Sequence, residues 1–320
     1  THEWGNTFAG TLAGIVDNAS SVTIVGCYAD ESVSVTARVV DSSFAGKSYN
    51  TGAGGFVGGA VGKDVTLLFN NCFFTGALSC SLGDGASAFC GNTYNPGMSI
   101  VNCYTINNTV HRVSADSLKN VYATAPAAAD SGVTILTKDQ MTGDAAKDNM
   151  PALDWDTVWS TAADKTPQLR VIAADYQEPE EETNMGTPGE VWSGKVAAGY
   201  ADGDGSRENP YQIATGEQLA RLVTSKDTAG KYYKLTQDIL LNDTSASNWT
   251  ENSPQPWVIQ GPEDIQFRGT LEGDGHTVSG LYINTDVGGW LYAGLFNRLG
   301  SGAVVRNVGF TKTDITLNNS

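Results

Sequence analysis

The segment at residues 202–206, DGDGS, places oxygen-bearing side chains at alternate positions, as the first half of a calcium-binding loop does. Such a loop needs a distal glutamate that binds the ion through both oxygens, and a tyrosine and a glutamine stand where it is expected. A Gly/Asp turn ahead of a strand therefore accounts better for this segment. Calcium bound at Asp202, Asp204 and Ser206 is the alternative, and no other cofactor is expected.

Two carboxylates, Asp154 and Asp156, flank Trp155 and are spaced to share one face of a strand. Paired carboxylates can hydrolyse glycosidic bonds, but the density of aromatic residues around this pair favours packing. The three histidines are scattered, and no serine or cysteine nucleophile motif accompanies them. We therefore predict no catalytic residues and a protein that is not an enzyme.

A third pattern concerns sugar binding. Trp249 and Trp257 bracket a polar loop at residues 251–255. Exposed tryptophan rings stack on sugar rings in many carbohydrate-binding modules, so these two residues are the candidate ligand-binding pair. Packing of the same loop over a neighbouring segment is the competing interpretation.

Composition restricts the partners that the chain can have. The 320 residues include 19 basic and 35 acidic side chains, for a net charge of −16. Such a surface repels nucleic acid and anionic membranes. No run approaches the roughly 18 apolar residues of a membrane span, so we expect no membrane insertion within this chain. The start of the sequence, THEW, has no basic or apolar character of a signal peptide.

Internal repeats are the main organising feature of the sequence. Each copy opens with small residues, continues with a bulky apolar pair and a Gly/Asn turn, and ends in a short alternating strand that closes on Asn or Gly. Five segments follow this pattern: 13–28, 54–73, 87–104, 293–310 and, more loosely, 267–283.

Strands this short cannot bury an apolar face alone, but stacked copies pair every strand and form a continuous interior. The pattern predicts an all-β fold, a right-handed parallel β-helix (β-solenoid) with short capping helices; a β-sandwich is the alternative. Cys27, Cys72 and Cys103 occupy the same slot of successive copies and should form an inward column. Cys90 is expected to align with Val16, Val57 and Phe296.

The chain divides into two partial solenoid halves and a linker. Residues 1–172 hold late coils and a C-terminal cap, which contains the capping-box pattern Thr137-x-x-Gln140 and the segment LDWDTVW. Residues 173–190 are an acidic Pro/Glu linker. Residues 191–320 hold an N-terminal cap, with a second capping-box pattern at Thr215, and early coils.

Several motifs resemble those of GLUG-motif β-solenoid domains. They are the GDGSRENPYQI opening at residues 203–213, the Gln218-Leu219 helix, the strand at 232–239, the AGLF coils and the LDWDTVW ending. Those domains occur in large bacterial cell-surface and adhesin-like proteins. The resemblance implies a solenoid fold and an extracellular or cell-surface location, and it implies a fold more than an activity.

The order of the parts is unusual, because the cap and early coils follow the late coils in sequence. The resulting coil edges, which we place at Trp4, Phe8, Ile315 and Leu317, should be bare and would need covering. We therefore expect the 191–320 half of one unit to be completed by the 1–172 half of the next, in a head-to-tail filament or a tandem array. Two independent solenoid fragments are the alternative.

The sequence thus favours a non-enzymatic extracellular solenoid protein that forms a stalk, fibre or adhesin and whose main partner is itself. A carbohydrate-binding surface module, with host or plant glycans as ligands, is the second hypothesis. A polysaccharide lyase or hydrolase is the third, and it is disfavoured because the arginines and lysines needed to neutralise an acidic sugar are not clustered.

Overall fold

The structure is a computed structural model. It describes residues 6–17, 20–39, 50–62, 64–81, 85–94, 97–110, 117–124, 132–170, 186–257, 265–286 and 291–319. These residues form mainly short β-strands, with two short α-helices, α1 (Ala145–Asn149) and α2 (Gly216–Thr224), and two 3-10 turns, Asp139–Met141 and Trp249–Glu251. The all-β class is therefore as predicted. No helix in the described ranges is both long and apolar enough to cross a membrane.

The strands before the linker are β1 (Asn6–Gly10), β2 (Ala13–Asp17), β3 (Ser21–Val25), β4 (Tyr28–Ala29), β5 (Ser34–Val39), β6 (Asn50–Gly54), β7 (Val57–Val61), β8 (Thr66–Asn70), β9 (Phe73–Phe74), β10 (Ala77–Cys80), β11 (Ala86–Ser87), β12 (Cys90–Tyr94), β13 (Gly97–Thr105), β14 (Leu118–Ala123), β15 (Val133–Ile135), β16 (Trp159–Ser160) and β17 (Gln168–Leu169). Those after it are β18 (Tyr211–Ile213), β19 (Tyr232–Leu235), β20 (Ile239–Leu240), β21 (Thr270–Glu272), β22 (Thr277–Ser279), β23 (Tyr282–Asp286), β24 (Leu291–Ala293), β25 (Phe296–Leu299), β26 (Val304–Arg306), β27 (Gly309–Thr311) and β28 (Asp314–Asn319).

Within a circuit, as from β1 to β5, successive strands belong to different parallel ladders, and the chain returns to each ladder after one circuit. Three four-stranded sheets have the orders β24-β1-β6-β11, β25-β2-β7-β12 and β23-β28-β5-β10. The largest sheet contains two ladders, β18-β19-β21-β26-β3-β8 and β20-β22-β27-β4-β9, which the long strand β13 joins. Among the described strands, the pair β16–β17 is antiparallel and every other named pair is parallel.

Side chains that point inward from these sheets make one continuous apolar core that runs through both halves of the chain. Glycines allow two sheets to approach closely inside it. A Cβ on Gly58 of β7 would lie 2.5 Å from the backbone nitrogen of Ala9 in β1 and 2.7 Å from the carbonyl oxygen of Gly14. Glycine is therefore required at this position, because any side chain would collide with the backbone of β1 and β2.

The cysteine column is confirmed and one predicted alignment is wrong. The Cys72 N–H lies 3.3 Å from the Cys103 Sγ, and Cys27, Cys72 and Cys103 are fully buried. Cys90 pairs with Val57, as expected, but Ala13 and not Val16 occupies the same position in the preceding circuit. In the preceding circuit the apolar pair Leu12-Ala13 is equivalent to Phe56-Val57 and Phe89-Cys90. The correct alignment therefore lies three residues before the predicted one.

The two halves of the chain stack on one another, with the late part of the sequence preceding the early part along the stack. Strand β28 pairs with β23 on one side and with β5 on the other, and β24, β25, β26 and β27 pair with β1, β2, β3 and β4. We call this contact between β24–β28 and β1–β5 the seam.

The seam corrects the prediction of bare coil edges. Phe8, Ile315 and Leu317 are fully buried; they pair with Tyr292, Val35 and Ala37 of the same chain. The fourth predicted edge residue, Trp4, lies outside the described residues. In this structure the chain supplies these contacts itself, and completion of one unit by a neighbouring unit stays a prediction.

Chain length and closure entropy explain this outcome. The stack from β18 to β15 spans about 38 Å at roughly 4.8 Å per strand. The residues between Arg170 and Gly186 reach on the order of 50 Å when extended. They are therefore long enough for the second half to return to the first. A half tethered in this way is at high effective concentration relative to one on another molecule.

Both predicted capping boxes form. Gln218 donates its backbone N–H to Thr215 Oγ1 at 3.3 Å and accepts from the Ala214 N–H at 2.7 Å, which starts α2. In the first half, the Thr137 and Gln140 side chains each accept a hydrogen bond from the other's backbone N–H.

The segment predicted to be a C-terminal end cap lies instead on the side of the stack. A second apolar cluster joins Met141, Met150 and Trp159 to Phe73 and Tyr104, whose strand neighbours Phe74 and Cys103 point into the main core. Because side chains alternate across a strand, the segment covers the outer face of the sheet. We call residues 136–170 the side segment.

Candidate ligand-binding cleft

The structure buries the two tryptophans predicted to bind sugar. Trp249 is 8% exposed and Trp257 is 3% exposed, so neither offers a ring face for stacking. The Trp257 ring contacts Trp192 edge-on at 4.8 Å between centroids, and its Nε1 donates to the Leu295 carbonyl. The structure therefore contradicts this candidate site, and packing, the competing interpretation, is correct.

The predicted calcium segment closes a turn with its own oxygens. Asp202 Oδ1 accepts from the Gly203 N–H at 2.7 Å, Asp204 Oδ1 accepts from the Ser206 N–H at 2.8 Å, and Ser206 Oγ accepts from the Asn209 N–H. Hydrogen bonds from Ser206 hold the pKa of Asp204 below its usual value. In the described parts of the chain, no three His, Cys, Asp or Glu side chains converge as metal ligands would.

The Asp154 carboxylate caps the turn that follows it in sequence. It accepts hydrogen bonds from the backbone N–H groups of Asp156 and Thr157 and from the Thr157 hydroxyl. These bonds lower its pKa, as expected for a carboxylate that caps a turn.

A cleft of about 360 Å³ opens where the side segment meets the stack, and we call it the side cleft. Three parts of the chain line it: Thr157, Val158, Leu169 and Arg170 of the side segment; Val25, Gly26, Tyr28 and Asn71 of the first half; Glu272, Asp274, Gly275 and Asn307 of the second half. The side cleft therefore exists only when the seam is closed.

A column of left-handed residues shapes the floor of the side cleft. At the equivalent position of five stacked circuits the chain adopts a positive φ. Asn307 (56°), Gly26 (61°) and Asn71 (53°) directly follow β26, β3 and β8, and Asn102 (53°) and Asn120 (54°) lie within β13 and β14. Glycine and asparagine are the residues that adopt this conformation most readily. A Cβ at Gly26 would lie 2.4 Å from Asn307 Oδ1, so the glycine makes room for the asparagine side chain above it.

Ion pairs hold the acidic wall of the side cleft in place. Glu272 Oε2 lies 2.6 Å from Arg306 Nε, and Glu272 Oε1 accepts from Asn307 Nδ2 at 2.8 Å. Asp274 Oδ2 lies 2.9 Å from Lys234 Nζ. Both carboxylates are thus fixed and already paired with cations.

The opposite wall carries Arg170, which is fixed by two backbone carbonyls. Its Nε donates to Trp159 at 2.9 Å and its Nη2 donates to Trp155 at 2.7 Å. Between the walls lies Tyr28, stacked on Phe73 with 5.1 Å between ring centroids. Burial, and then the negative charges of Asp30 and Asp238, raises the pKa of Tyr28 to about 12.

Sequence reasoning missed every residue of the side cleft. The one signal that pointed toward it was the Asn or Gly at the end of each repeat, which marks the left-handed column. Glu272 and Arg170 are far apart in sequence and no sequence motif links them, so only the stacking of the halves brings them to one cleft.

Comparison with known proteins gives two partial similarities. The chain is 35% identical over 115 residues, 36% of its length, to a protein called Halomucin from Haloquadratum walsbyi. It is 33% identical over 118 residues, 37% of its length, to a putative Gly-rich membrane protein from Evansella cellulosilytica. The matched region is only 1% and 13% of these proteins. No family model and no solved structure matches the chain. The resemblance to GLUG-motif domains therefore stays a prediction carried by its motifs.

Proposed function

We propose that the chain is a non-enzymatic module of a larger extracellular or cell-surface protein. In this proposal its stacked circuits form a right-handed parallel β-helix that serves as a stiff segment of a stalk, fibre or adhesin. The observation that carries the proposal is the set of parallel ladders that continue through both halves of the chain without a break at the seam.

Parallel ladders of this kind resist bending because each circuit is hydrogen-bonded to the next over several faces. The net charge of −16 keeps such a rod soluble and apart from polyanions. Similarity to Halomucin and to a Gly-rich membrane protein, each far longer than the matched region, supports a place within a large surface polypeptide. The GLUG-like motifs support the same location.

The closed seam changes how several modules would be joined. Because β28 is already paired on both sides, a neighbouring copy has no open edge at Ile315 or Leu317 on which to stack. We propose closed modules connected along a polypeptide, in place of circuits shared between units. Residues 1–320, purified alone, should then remain discrete particles in negative-stain electron microscopy at all concentrations. Filaments with an axial repeat near one module length would refute the closed module.

Location is tested on intact cells of the organism that makes the protein. Antibodies raised against the module should label unpermeabilised cells, and mild external protease treatment should release fragments of it. Labelling that requires permeabilisation would rule out a surface location. Incubation of the module with neutral and acidic polysaccharides, followed by a reducing-end assay, tests the non-enzymatic part of the proposal separately.

A further inference from the structure

The side cleft has the dimensions of a small-molecule site. Its volume of about 360 Å³ lies at the lower end of the range of roughly 300–1,000 Å³ that ligand sites occupy. A ligand of monosaccharide or disaccharide size would fill it. The side segment and two separate parts of the stack enclose it, so its walls are held by the fold and are not a single loop.

The charges of the side cleft balance. Glu272 and Asp274 line one wall, but Arg306 and Lys234 neutralise them at 2.6 Å and 2.9 Å. Arg170 lines the opposite wall, where its positive charge is offset by the nearby Asp154 carboxylate, whose pKa it helps to lower. An anionic ligand would also have to approach a protein of net charge −16. These features favour an uncharged ligand over a cation or an anion.

The polar groups of the side cleft include both donors and acceptors. Arg170 can only donate hydrogen bonds, Glu272 can only accept them, and the Asn307 amide does both. Asn71 Oδ1 is buried and has no hydrogen-bond partner among the described residues. A buried acceptor without a partner is costly, and rotation of the Asn71 side chain toward the side cleft would let a ligand hydroxyl satisfy it. Hydroxyl groups, which donate and accept, match this mixture.

Apolar surface lies between these polar groups. Tyr28 contributes part of an aromatic ring, and Val25, Val158 and Leu169 contribute aliphatic surface. A sugar ring presents C–H groups on its faces and hydroxyls around its edge, so it can contact both kinds of surface at once. Tyrosine suits such a position because its body is apolar and its tip is polar.

We propose that the side cleft binds a neutral carbohydrate, with Tyr28 in contact with a face of a sugar ring and Glu272, Asn307, Asn71 and Arg170 bonded to its hydroxyls. This site is separate from the tryptophan loop that the sequence suggested. It does not depend on the proposed location of the protein, because binding is a property of the isolated module.

The test uses residues 1–320 and isothermal titration with a panel of pure sugars at millimolar concentration. The neutral probes are methyl α-glucoside, methyl β-galactoside, N-acetylglucosamine and cellobiose. Glucuronate, glucosamine and calcium chloride are the charged probes. We expect at least one neutral sugar to bind and the charged probes to bind more weakly or not at all.

Two variants locate the binding. Asn307→Gly removes the amide but keeps the left-handed backbone, as Gly26 does one circuit away. It should weaken binding about tenfold, the effect of one lost hydrogen bond. Thr157→Trp fills the side cleft and should abolish binding. Asn102→Gly is the matched control, since Asn102 belongs to the same column but does not line the side cleft. Circular dichroism of each variant confirms folding.

Each result decides the proposal. Binding of a neutral sugar that is lost in Thr157→Trp, weakened in Asn307→Gly and retained in Asn102→Gly supports it. Binding of only charged probes, no binding of any probe, or neutral-sugar binding unaffected by Thr157→Trp overturns it. None of these results bears on whether the protein is located at the cell surface, which the labelling experiment decides.

Discussion

The seam is the feature of this fold that can be tested most directly, through a ladder of three aliphatic side chains. Ile283 of β23 pairs with Ile315 of β28 within the second half, and Ile315 pairs with Val35 of β5 across the seam. Ile315 and Val35 are fully buried and Ile283 is 5% exposed. The two neighbouring pairs thus differ mainly in whether they join residues of one half or of both.

The change to make is alanine at each of the three positions, singly and in the two neighbouring pairs. Ile315→Ala should lower the free energy of unfolding by about 2–5 kcal/mol, the usual cost of removing a buried isoleucine side chain. If the seam were open, Ile315 would lie on an exposed edge and the cost would be well below that range. Val35→Ala should also destabilise the protein, by less because fewer methyl groups are removed.

The double variants report the contact itself. Side chains in contact show interaction energies of about 0.5–3 kcal/mol, whereas distant sites are additive to within roughly 0.5 kcal/mol. We expect coupling for Ile315 with Val35 as well as for Ile283 with Ile315. Urea denaturation followed by far-ultraviolet circular dichroism measures both, and a closed seam predicts one transition shared by the two halves.

The within-half pair is the control for the method. If Ile283 and Ile315 couple but Ile315 and Val35 are additive, or if the halves unfold in two separate transitions, the closed seam is refuted. If neither pair couples, each side chain relaxes independently after substitution. The number of unfolding transitions then decides whether the seam is closed, because a closed seam predicts one.

Three further predictions concern the linker, the thiols and a tyrosine. In the first, a protease site is inserted within residues 171–185 and cleaved. The two fragments should elute together in native size-exclusion chromatography, because the seam and not the linker holds the halves together. Separate elution would contradict this. In the second, burial raises the pKa of Cys90, so this thiol should stay protonated and unreactive toward iodoacetamide at pH 9 in the folded protein. The half-buried Cys80 should react. Mass spectrometry identifies which residue is labelled. The pKa of Tyr28 is raised from 10.0 to about 12, so its contribution to stability is complete below pH 10 and is lost as the pH rises toward 12. Absorbance at 295 nm should show a tyrosine of that pKa that is missing in Tyr28→Phe, and an unchanged titration curve in the variant would refute the assignment.

The alternation of apolar residues, the Asn/Gly bends and the capping boxes could be read from the sequence because they depend on contacts within a few residues. The same local pattern placed Cys27, Cys72 and Cys103 in one column, and the structure agrees. The same pattern predicted the wrong alignment near Ala13, by three residues. The apolar pairs Leu12-Ala13 and Ile15-Val16 follow one another closely there, and either fits the repeat. Local periodicity thus determines which residues point inward, and it determines the alignment of circuits only where one candidate pair is present.

The tertiary structure decided what the outward faces do. Trp159 and its neighbours are apolar and were expected to cover an end. An apolar segment can cover any apolar surface, and in the structure this one covers the outward-facing column that includes Phe73 and Tyr104. Trp249 and Trp257 show the same ambiguity, because a tryptophan beside a polar loop is compatible with a ligand platform or with packing. Burial alone distinguishes these cases.

By itself, the sequence of this protein determined an all-β chain of short repeated strands, and it predicted two parts joined by an acidic linker. It did not determine that the two parts close on each other, because bare strand edges can be paired by the same chain or by another, and the choice depends on the reach of the linker and on effective concentration. The side cleft follows from that choice. Tyr28, Arg170, Glu272 and Asn307 come together only because the closed seam stacks circuits from opposite ends of the sequence.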